Sequence, residues 1–551
     1  MVNRFTRILI PVVFVFVFCA NIQYPAKQVT SHSANTTEVN EKDLKSGSIV
    51  LNIDFDKDTD RSRWSVNPSA QWLKEGVNRT MCFSVTVPPE NSTLNNLIYY
   101  KFDLSKYRRM ILNFTCLAKA ENVTKPPEEY LGIKFMLHYK SARGEFWKNQ
   151  DNVFGTFGWK ELSYSALISD DASDAEIVLG LQQSSGKVWF DNIIVSIGKI
   201  PEPRPVAAAG GHPVFKGHNL PRLRGVMSPD KFREEDFLTL GLKWNANLIR
   251  WQIKKTWGDS ITERDVNKYE KWIDSKFSDI DNVIQASVKY GLMVVMDLHS
   301  PPGGRDDNGN MRMFYEKQYN DCFIRTWRKI AQRYKGSQAV WGYDLVNEPA
   351  QNRPSPKGMD YLETQKHAAM AIREIDPSTA IIIESNDYDN PDSFEYLTPI
   401  DVPNLVYEVH LYRPSEFTHQ GIYNSKTGIV YPGMIAGRNY NKAALKKVLK
   451  PVRDFQLAYN VHIYVGEFSA IRWAVGAAQY LSDCIDIFEE YGWDWSYHAF
   501  REWPGWSVEH ENQPPDLKTH LPAKTDTDRK KVLLQWFTQN KKPSDPFNQN
   551  H

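Results

Sequence analysis

Eight short apolar stretches recur between residues 223 and 500, and segments with helical periodicity separate them. Each stretch is long enough for one buried strand, and continuously apolar strands joined by helical crossovers are what a parallel sheet covered on its outer face requires. Eight such units are the number that closes a (β/α)8 barrel, or TIM barrel. The stretches are LRGVM (223–227), ANLIRW (246–251), LMVVMDLH (292–299), VWGYDLVNE (340–348), TAIIIES (379–385), NLVYEVHLY (404–412), VHIYVGE (461–467) and GWDWSYHAF (492–500).

The chain before these stretches has a different pattern. Over residues 48–200, short runs alternate apolar with polar side chains, and no long helical pattern interrupts them. In GIKFMLHY (132–139), for example, Ile133, Phe135 and Leu137 share one face, which is the period of a strand. Six or more such strands at short spacing predict a β-sandwich.

A change of composition separates the two patterns. Residues 201–215 are rich in Pro, Ala and Gly, which is typical of a linker, and the barrel domain is predicted over 216–540. The predicted fold class is therefore α/β, a (β/α)8 TIM barrel with an N-terminal all-β sandwich domain.

The N-terminus has the pattern of a targeting segment. Within residues 1–20, two Arg residues precede the apolar run LIPVVFVFVFCA (9–20), which is too short to span a bilayer and suits a signal peptide. Cleavage, lipidation at Cys19 and retention as an anchor all remain open. Residues 21–47 are polar and predict a tether. We expect a secreted or cell-envelope protein without a further membrane span.

Charge and cysteine spacing exclude several classes of partner. The chain has 67 Lys and Arg against 66 Asp and Glu, so it lacks the basic field that holds a nucleic-acid backbone. Its five cysteines have no metal-ligand spacing, and its glycine-rich stretches have no phosphate-loop context. We expect no nucleic-acid partner, no metal and no cofactor, and we expect a monomer.

Polar residues end several of the predicted strands. Because the active site of such a barrel lies at the carboxyl ends of its strands, these side chains are expected to meet there. They are Arg250, His299, Asn347, Glu348, His410, Tyr412 and Glu467. A pair of carboxylates at a barrel mouth suits cleavage of a glycosidic bond, in which one acid protonates the leaving oxygen and the other attacks the sugar or activates water. Among the other residues, Arg and Tyr are donors that keep a carboxylate ionised, and Asn and His are donors to sugar hydroxyls.

These motifs resemble glycoside hydrolase family 5, the cellulase family A, in family order over roughly 216–540. The motifs are YDLVNEP (343–349), LIRW (248–251), MDLHS (296–300), YEVHLY (407–412) and YVGEFS (464–469). The resemblance implies a retaining β-glycosidase on a (β/α)8 barrel that needs no metal. It further implies Glu348 as acid/base and Glu467 as nucleophile. The surrounding shell that it implies is Arg250, His299, Asn347, His410 and Tyr412.

The eighth strand departs from the family pattern, in which a Trp forms a floor under the bound sugar. The candidates here are Trp493, Trp495, Trp503 and Trp506, and His498 is itself a candidate for the position of the usual Trp. Of the four, Trp503 is favoured because it lies in the loop after the strand.

The expected substrate is a β-linked glycan. The favoured activity is that of an endo-β-1,4-glucanase; β-mannanase, other β-glucanase, β-glucosidase and transglycosylase activities use the same residues, and a non-catalytic glycan-binding protein is the alternative from another class. The sandwich resembles a carbohydrate-binding module, with a spacer that packs on the barrel as the equal alternative.

Overall fold

A computed structural model describes residues 44–543, apart from 143, 206–212, 230, 256–259 and 423–424. The targeting segment expected at 1–20 lies outside the described residues, as do most of the tether and part of the linker. Among the described residues, no helix is both long and apolar enough to cross a membrane.

The first half of the described chain is all-β, as the alternating pattern predicts. Ten antiparallel strands form two sheets, one in the order β2-β3-β10-β5-β8 with β1 paired to β10, the other in the order β4-β9-β6-β7. The strands are β1 Ile49–Ile53, β2 Ala70–Leu73, β3 Cys82–Val87, β4 Asn95–Lys101, β5 Ile111–Val123, β6 Gly132–Ser141, β7 Gly144–Asn149, β8 Gly155–Leu167, β9 Ser173–Gln182 and β10 Gly186–Lys199. Inward-facing side chains of both sheets, such as Phe114, Phe135 and Leu179, share one buried core.

Eight parallel strands close the barrel in the second half, in the order β11-β12-β13-β14-β15-β16-β19-β20. The prediction of a (β/α)8 barrel is therefore confirmed. The barrel strands are β11 Arg224–Met227, β12 Leu248–Gln252, β13 Met293–Asp297, β14 Val340–Asp344, β15 Ala380–Glu384, β16 Leu405–Leu411, β19 Ile463–Phe468 and β20 Asp494–Tyr497. A small hairpin, β17 Gly433–Ile435 and β18 Arg438–Tyr440, follows β16. Every residue of the barrel strands is buried, because helices cover the outside and side chains fill the inside.

Helices connect the barrel strands. The longer ones are α4 Val266–Tyr290, α5 Lys317–Tyr334, α6 Tyr361–Arg373, α9 Lys442–Val448, α10 Lys450–Tyr459, α11 Ala477–Tyr491 and α12 Asp528–Phe537. The short ones are α1 Asp58–Arg61 in the sandwich, then α2 Glu234–Leu238, α3 Ser260–Arg264, α7 Asn386–Asp389 and α8 Ser415–Thr418.

Local sequence sets the ends of the longest helix, α4. Asp265 accepts a hydrogen bond from the backbone amide of Lys268 at 3.1 Å and so caps the first turn. Gly291 ends the helix with φ 68°, a left-handed conformation that glycine adopts without steric cost. Between them, Ile273 and Ile280 lie two turns apart on the buried face.

The sandwich packs directly on loops at the barrel mouth. The amide of Ser165 donates to the carbonyl of Asn352 at 2.7 Å, and Nδ2 of Asn152 donates to the carbonyl of Asp307 at 2.8 Å. Both acceptors belong to loops after barrel strands, and the amide of Asn352 bonds Oδ1 of Asn310 at 2.6 Å. The front domain thus supports two loops near the carboxyl ends of β13 and β14.

Candidate active site

The carboxyl ends of the barrel strands bring most of the predicted residues together around Arg250. The guanidinium, fully buried, donates from Nη1 to Oε1 of Glu467 at 2.7 Å and from Nη2 to Oδ1 of Asn347 at 3.1 Å. Tyr412 donates its hydroxyl to Oε2 of Glu467 at 2.8 Å. Both Glu467 oxygens therefore accept hydrogen bonds from residues that the sequence predicted as its donors.

The two predicted catalytic carboxylates lie next to each other. One oxygen of Glu348, one of Glu467 and one nitrogen of His410 all lie within 4.8 Å of one another. An approach of two carboxylate oxygens to within 4.8 Å is compatible with the roughly 5–5.5 Å carboxyl spacing of retaining glycosidases and is shorter than the roughly 6.5–9.5 Å that admits a water in inverting ones. The Glu348 side chain is 18% exposed, whereas that of Glu467 is 3% exposed. The more accessible acid is thus the one that the motif predicts as the proton donor.

The backbone at Glu348 is held in an unusual conformation. Its φ of 54° lies in the left-handed region, which costs a non-glycine residue energy unless its surroundings enforce it. Here the Glu348 amide donates to Oε2 of Glu384 at 2.7 Å, and its carbonyl accepts from Nη2 of Arg305 at 2.7 Å. These two bonds fix the direction in which the Glu348 side chain leaves the strand end.

Opposing charges hold Glu467 as an anion. Burial alone would raise the pKa of Glu467, but the positive charges of His498 and His410 outweigh it and hold the pKa well below its usual range. Burial likewise lowers the pKa of His410, yet the carboxylates of Glu467 and Glu384 raise it well above its usual value. The ionised carboxylate is the form that acts as a nucleophile.

Four further carboxylates surround Arg250, and sequence reasoning missed all of them as site residues. They are Asp297 at 3.3 Å, Asp344 at 2.7 Å, Glu384 at 3.1 Å and Glu408 at 3.3 Å from its guanidinium nitrogens. Burial raises the pKa of the last three above the usual carboxyl range. The available signal was that Asp297, Asp344 and Glu384 each end an otherwise apolar strand and that Glu408 interrupts one.

This acidic cluster has the oxygen ligands of a metal site, because oxygens of Asp344, Glu384 and Glu408 lie within 4.8 Å of one another. Oxygens of all three already contact the Arg250 guanidinium, which therefore serves as the cation of the cluster. The cluster also explains the glycine of the YVGEFS motif: a Cβ atom at Gly466 would overlap the carboxylate of Glu408.

The two predicted histidines are oriented by acids. His410 lies with Nδ1 3.3 Å from Oε1 of Glu348 and with Nε2 3.2 Å from Oε1 of Glu408. His299 lies at the mouth with Nδ1 2.8 Å from Oδ2 of Asp297, which orients the ring. His410 thus touches the predicted acid/base directly, whereas His299 is linked to the site through Asp297.

The tryptophans of the eighth strand and its loop separate into two groups. Trp493 and Trp495 are completely buried in the barrel core, so they offer no face to a ligand. Trp503 is half-buried and packs on Trp506 with ring centroids 5.1 Å apart; it also lines a cavity of about 600 Å³. The Trp506 ring lies 5.7 Å from that of Tyr412, so Trp503 stands one ring further from the carboxylates than Trp506 does.

His498, at the end of β20, contacts the predicted nucleophile itself. Its Nδ1 lies 2.9 Å from Oε2 of Glu467, and its Nε2 lies 2.7 Å from Oε2 of Glu502. Lys254 Nζ bonds the other oxygen of Glu502 at 2.5 Å. Sequence reasoning did not connect Lys254 or Glu502 to the site, since 248 residues separate these two partners.

Comparison with known proteins agrees with this geometry. The sequence model of the cellulase family, glycosyl hydrolase family 5, matches residues 207–502, more than half of the chain. The chain belongs to glycosyl hydrolase family 5. The matched segment contains every barrel residue that we predicted in the site except Trp503, which follows it directly.

Two curated relatives illustrate the similarity of this family 5 β-glycosidase to known enzymes. Endoglucanase C of Acetivibrio thermocellus is 30% identical over 268 residues, which are 43% of this chain and 77% of the relative. Cellodextrinase A of Ruminococcus flavefaciens is 28% identical over 204 residues, 36% of this chain and 59% of the relative. Among solved structures, Thermotoga maritima Cel5A in complex with cellobiose is 23% identical over 56% of this chain and 97% of that chain, with a TM-score of 0.45.

Proposed function

We propose that this family 5 glycosidase is an endo-β-1,4-glucanase that works by double displacement, with Glu467 as nucleophile and Glu348 as acid/base. The observation that carries the proposal is the contrast between the two neighbouring carboxylates. Glu467 is buried and accepts bonds from Arg250 and Tyr412, whereas Glu348 is partly exposed beside His410. The choice of glucan rests on the names of the relatives, several of which are endoglucanases.

The proposed reaction begins when Glu467 attacks the anomeric carbon while Glu348 gives its proton to the leaving glycosidic oxygen. The C–O bond to the leaving sugar breaks, and an ester forms between the remaining sugar and Glu467. A water then attacks the same carbon, Glu348 takes its proton, and the Glu467 carboxylate leaves. Two inversions at one carbon give net retention of the β configuration.

The remaining residues are proposed to bind the substrate. Asn347 and His299 would donate to sugar hydroxyls, and Trp503 would offer a flat face next to the site. Arg250, Tyr412 and His410 are proposed to act mainly through the two carboxylates that they contact. We further propose that the protein is exported by its N-terminal segment and acts as a monomer on a β-glucan or a related polysaccharide.

Assay of purified protein on a panel of glycans tests this proposal. Carboxymethylcellulose should lose viscosity faster than reducing ends appear, because endo cleavage shortens chains from within, and NMR should detect the β anomer as the first product. Glu467→Gln protein is the inactive control. Faster hydrolysis of mannan than of glucan would show that the enzyme is a mannanase. Hydrolysis of aryl glucosides alone would show that it is a glucosidase. Dominant transfer products would indicate a transglycosylase, and glycan binding without any turnover would indicate a non-catalytic protein.

We propose that the main role of the sandwich is to support the active-site loops. Removal of residues 44–200 should lower the melting temperature of the barrel and reduce kcat/KM on soluble glucan. The reason is that Asn352 and Asp307 would lose the bonds from Ser165 and Asn152. Calorimetry and kinetics of the full and shortened chains measure both effects.

The opposite outcome would support the alternative of a carbohydrate-binding module. In that case the shortened chain would keep its melting temperature, and affinity electrophoresis in a gel with hydroxyethylcellulose would retard only the full chain. Glu467→Gln protein is used in that gel, so that the polysaccharide is not consumed.

A further inference from the structure

Three charged side chains form a line that ends on Glu467. Starting from β12, Lys254 bonds one oxygen of Glu502 at 2.5 Å, the other oxygen of Glu502 lies 2.7 Å from Nε2 of His498, and Nδ1 of His498 lies 2.9 Å from Glu467. The Lys254, Glu502 and Glu467 side chains are each at most 12% exposed. Along the line an ammonium, a carboxylate, an imidazole ring and a second carboxylate follow one another.

The two contacts of His498 determine its protonation. An ionised carboxylate only accepts hydrogen bonds, and a neutral imidazole has a single N–H. A ring that faces carboxylate oxygens on both nitrogens at these distances satisfies both only when both nitrogens carry protons. The geometry therefore points to an imidazolium cation between Glu502 and Glu467, shielded from solvent.

The other neighbours of His498 are compatible with this cation. The hydroxyl of Tyr412 contacts Nδ1 of His498 and also donates to Glu467. Across Glu467, Arg250 at 2.7 Å and His410 at 3.8 Å add positive charge, and His410 also faces Glu348. His419, which bonds Thr418 at 2.9 Å, is a further titratable group near the ring. Burial, together with the charge of His498, lowers the pKa of His419 to about 3, so that ring is neutral and adds no repulsion. Burial lowers the pKa of His498 itself, but Glu467 and Glu502 outweigh it and raise the pKa to about 9.

We propose that Lys254, Glu502 and His498 act as positioning residues that hold Glu467 ionised and thereby set the lower pH limit of the enzyme; this inference rests on the proposed role of Glu467. A cation next to a carboxylate favours its charged form. Loss of that cation should raise the pH at which Glu467 takes up a proton, and the acidic limb of the pH profile should move upward.

The experiment compares pH profiles of kcat/KM on p-nitrophenyl β-cellobioside for the wild type and three variants. His498→Gln keeps an N–H donor but removes the charge, and its acidic limb should move up by about 1 pH unit or more. Glu502→Gln removes the second carboxylate of the His498 ring without touching Glu467, and its limb should move by less than that of His498→Gln. Glu509→Gln is the matched control: Glu509 belongs to the same loop and bonds Arg501 at 2.8 Å, so its limb should stay in place.

An acidic limb that coincides with the wild type in both His498→Gln and Glu502→Gln would overturn the proposal. If His498→Gln fails to fold, two readouts remain. One is the Glu502→Gln profile, and the other is the ¹⁵N–¹H spectrum of histidine side chains at pH 7.5. In the wild type, the His410 ring, which also faces carboxylates on both nitrogens, and a second ring should each have both nitrogens protonated. The second ring should shift in Glu502→Gln but not in Glu509→Gln, and the absence of such a ring contradicts the proposal.

Assay of Glu467→Ala protein beside this series distinguishes the inference from the proposed function. If Glu467→Ala protein remains active, the assignment of the nucleophile fails, and the inference fails with it. A different result separates the two. If the wild type is active and Glu467→Ala is inactive, but the acidic limb of His498→Gln and Glu502→Gln stays where it is in the wild type, only the role of Lys254, Glu502 and His498 is wrong.

Discussion

Replacement of Glu467 by Ala is expected to lower kcat by about 10⁴-fold or more on every substrate, whatever its leaving group. The reason is that no other carboxylate can take its place. The carboxylates of Asp344, Glu384 and Glu408 are bound to the Arg250 guanidinium. Both steps of the proposed mechanism need Glu467, first as the attacking group and then as the leaving group. Stopped assays on carboxymethylcellulose and on an aryl cellobioside measure the loss.

Azide provides the sharper part of this test. The missing carboxylate leaves a space beside Arg250 and Tyr412, which are the donors that held it. A small anion in that space should attack from the same face and give the α-glycosyl azide, which NMR identifies. The control is Glu374→Ala, because Glu374 is 66% exposed and pairs with Arg328 on the surface; its activity should equal that of the wild type. A Glu467→Ala protein with near-normal turnover would contradict the assignment.

The sequence predicted the barrel because its strands are continuously apolar and helices separate them. It also predicted which side chains would meet, since residues such as His299 and Glu467 lie at or just beyond the carboxyl ends of those strands and all such ends lie on one face. These inferences need only the order of elements along the chain. Distances between side chains were not required.

The missed residues are those whose role depends on such distances. Glu384 ends the apolar stretch TAIIIES, but nothing in the sequence says that its carboxylate reaches both Arg250 and the amide of Glu348. Lys254 and Glu502 lie on loops after different strands, and only the closed barrel brings them together. Loop conformation also decides the order of Trp503 and Trp506 at the site, which strand alternation does not fix.

Replacement of Glu348 by Ala is expected to separate substrates by their leaving groups. On cellulose-derived oligosaccharides, whose leaving oxygen needs a proton, kcat/KM should fall by about 10³-fold or more. On 2,4-dinitrophenyl β-cellobioside, whose leaving group departs as an anion, it should fall by less than about tenfold. The kinetic comparison of the two substrates on one variant measures this difference without any correction for the fraction of folded protein.

Azide also distinguishes the two carboxylates. In Glu348→Ala protein the nucleophile remains, so the ester on Glu467 should still form from the dinitrophenyl substrate and should accumulate, because no base activates water. Azide needs no base; it should attack that ester from the face that Glu348 occupied and give the β-glycosyl azide, opposite to the product of Glu467→Ala. Equal losses on both substrates, or the α-azide from Glu348→Ala, would show that the roles of Glu348 and Glu467 have been assigned wrongly.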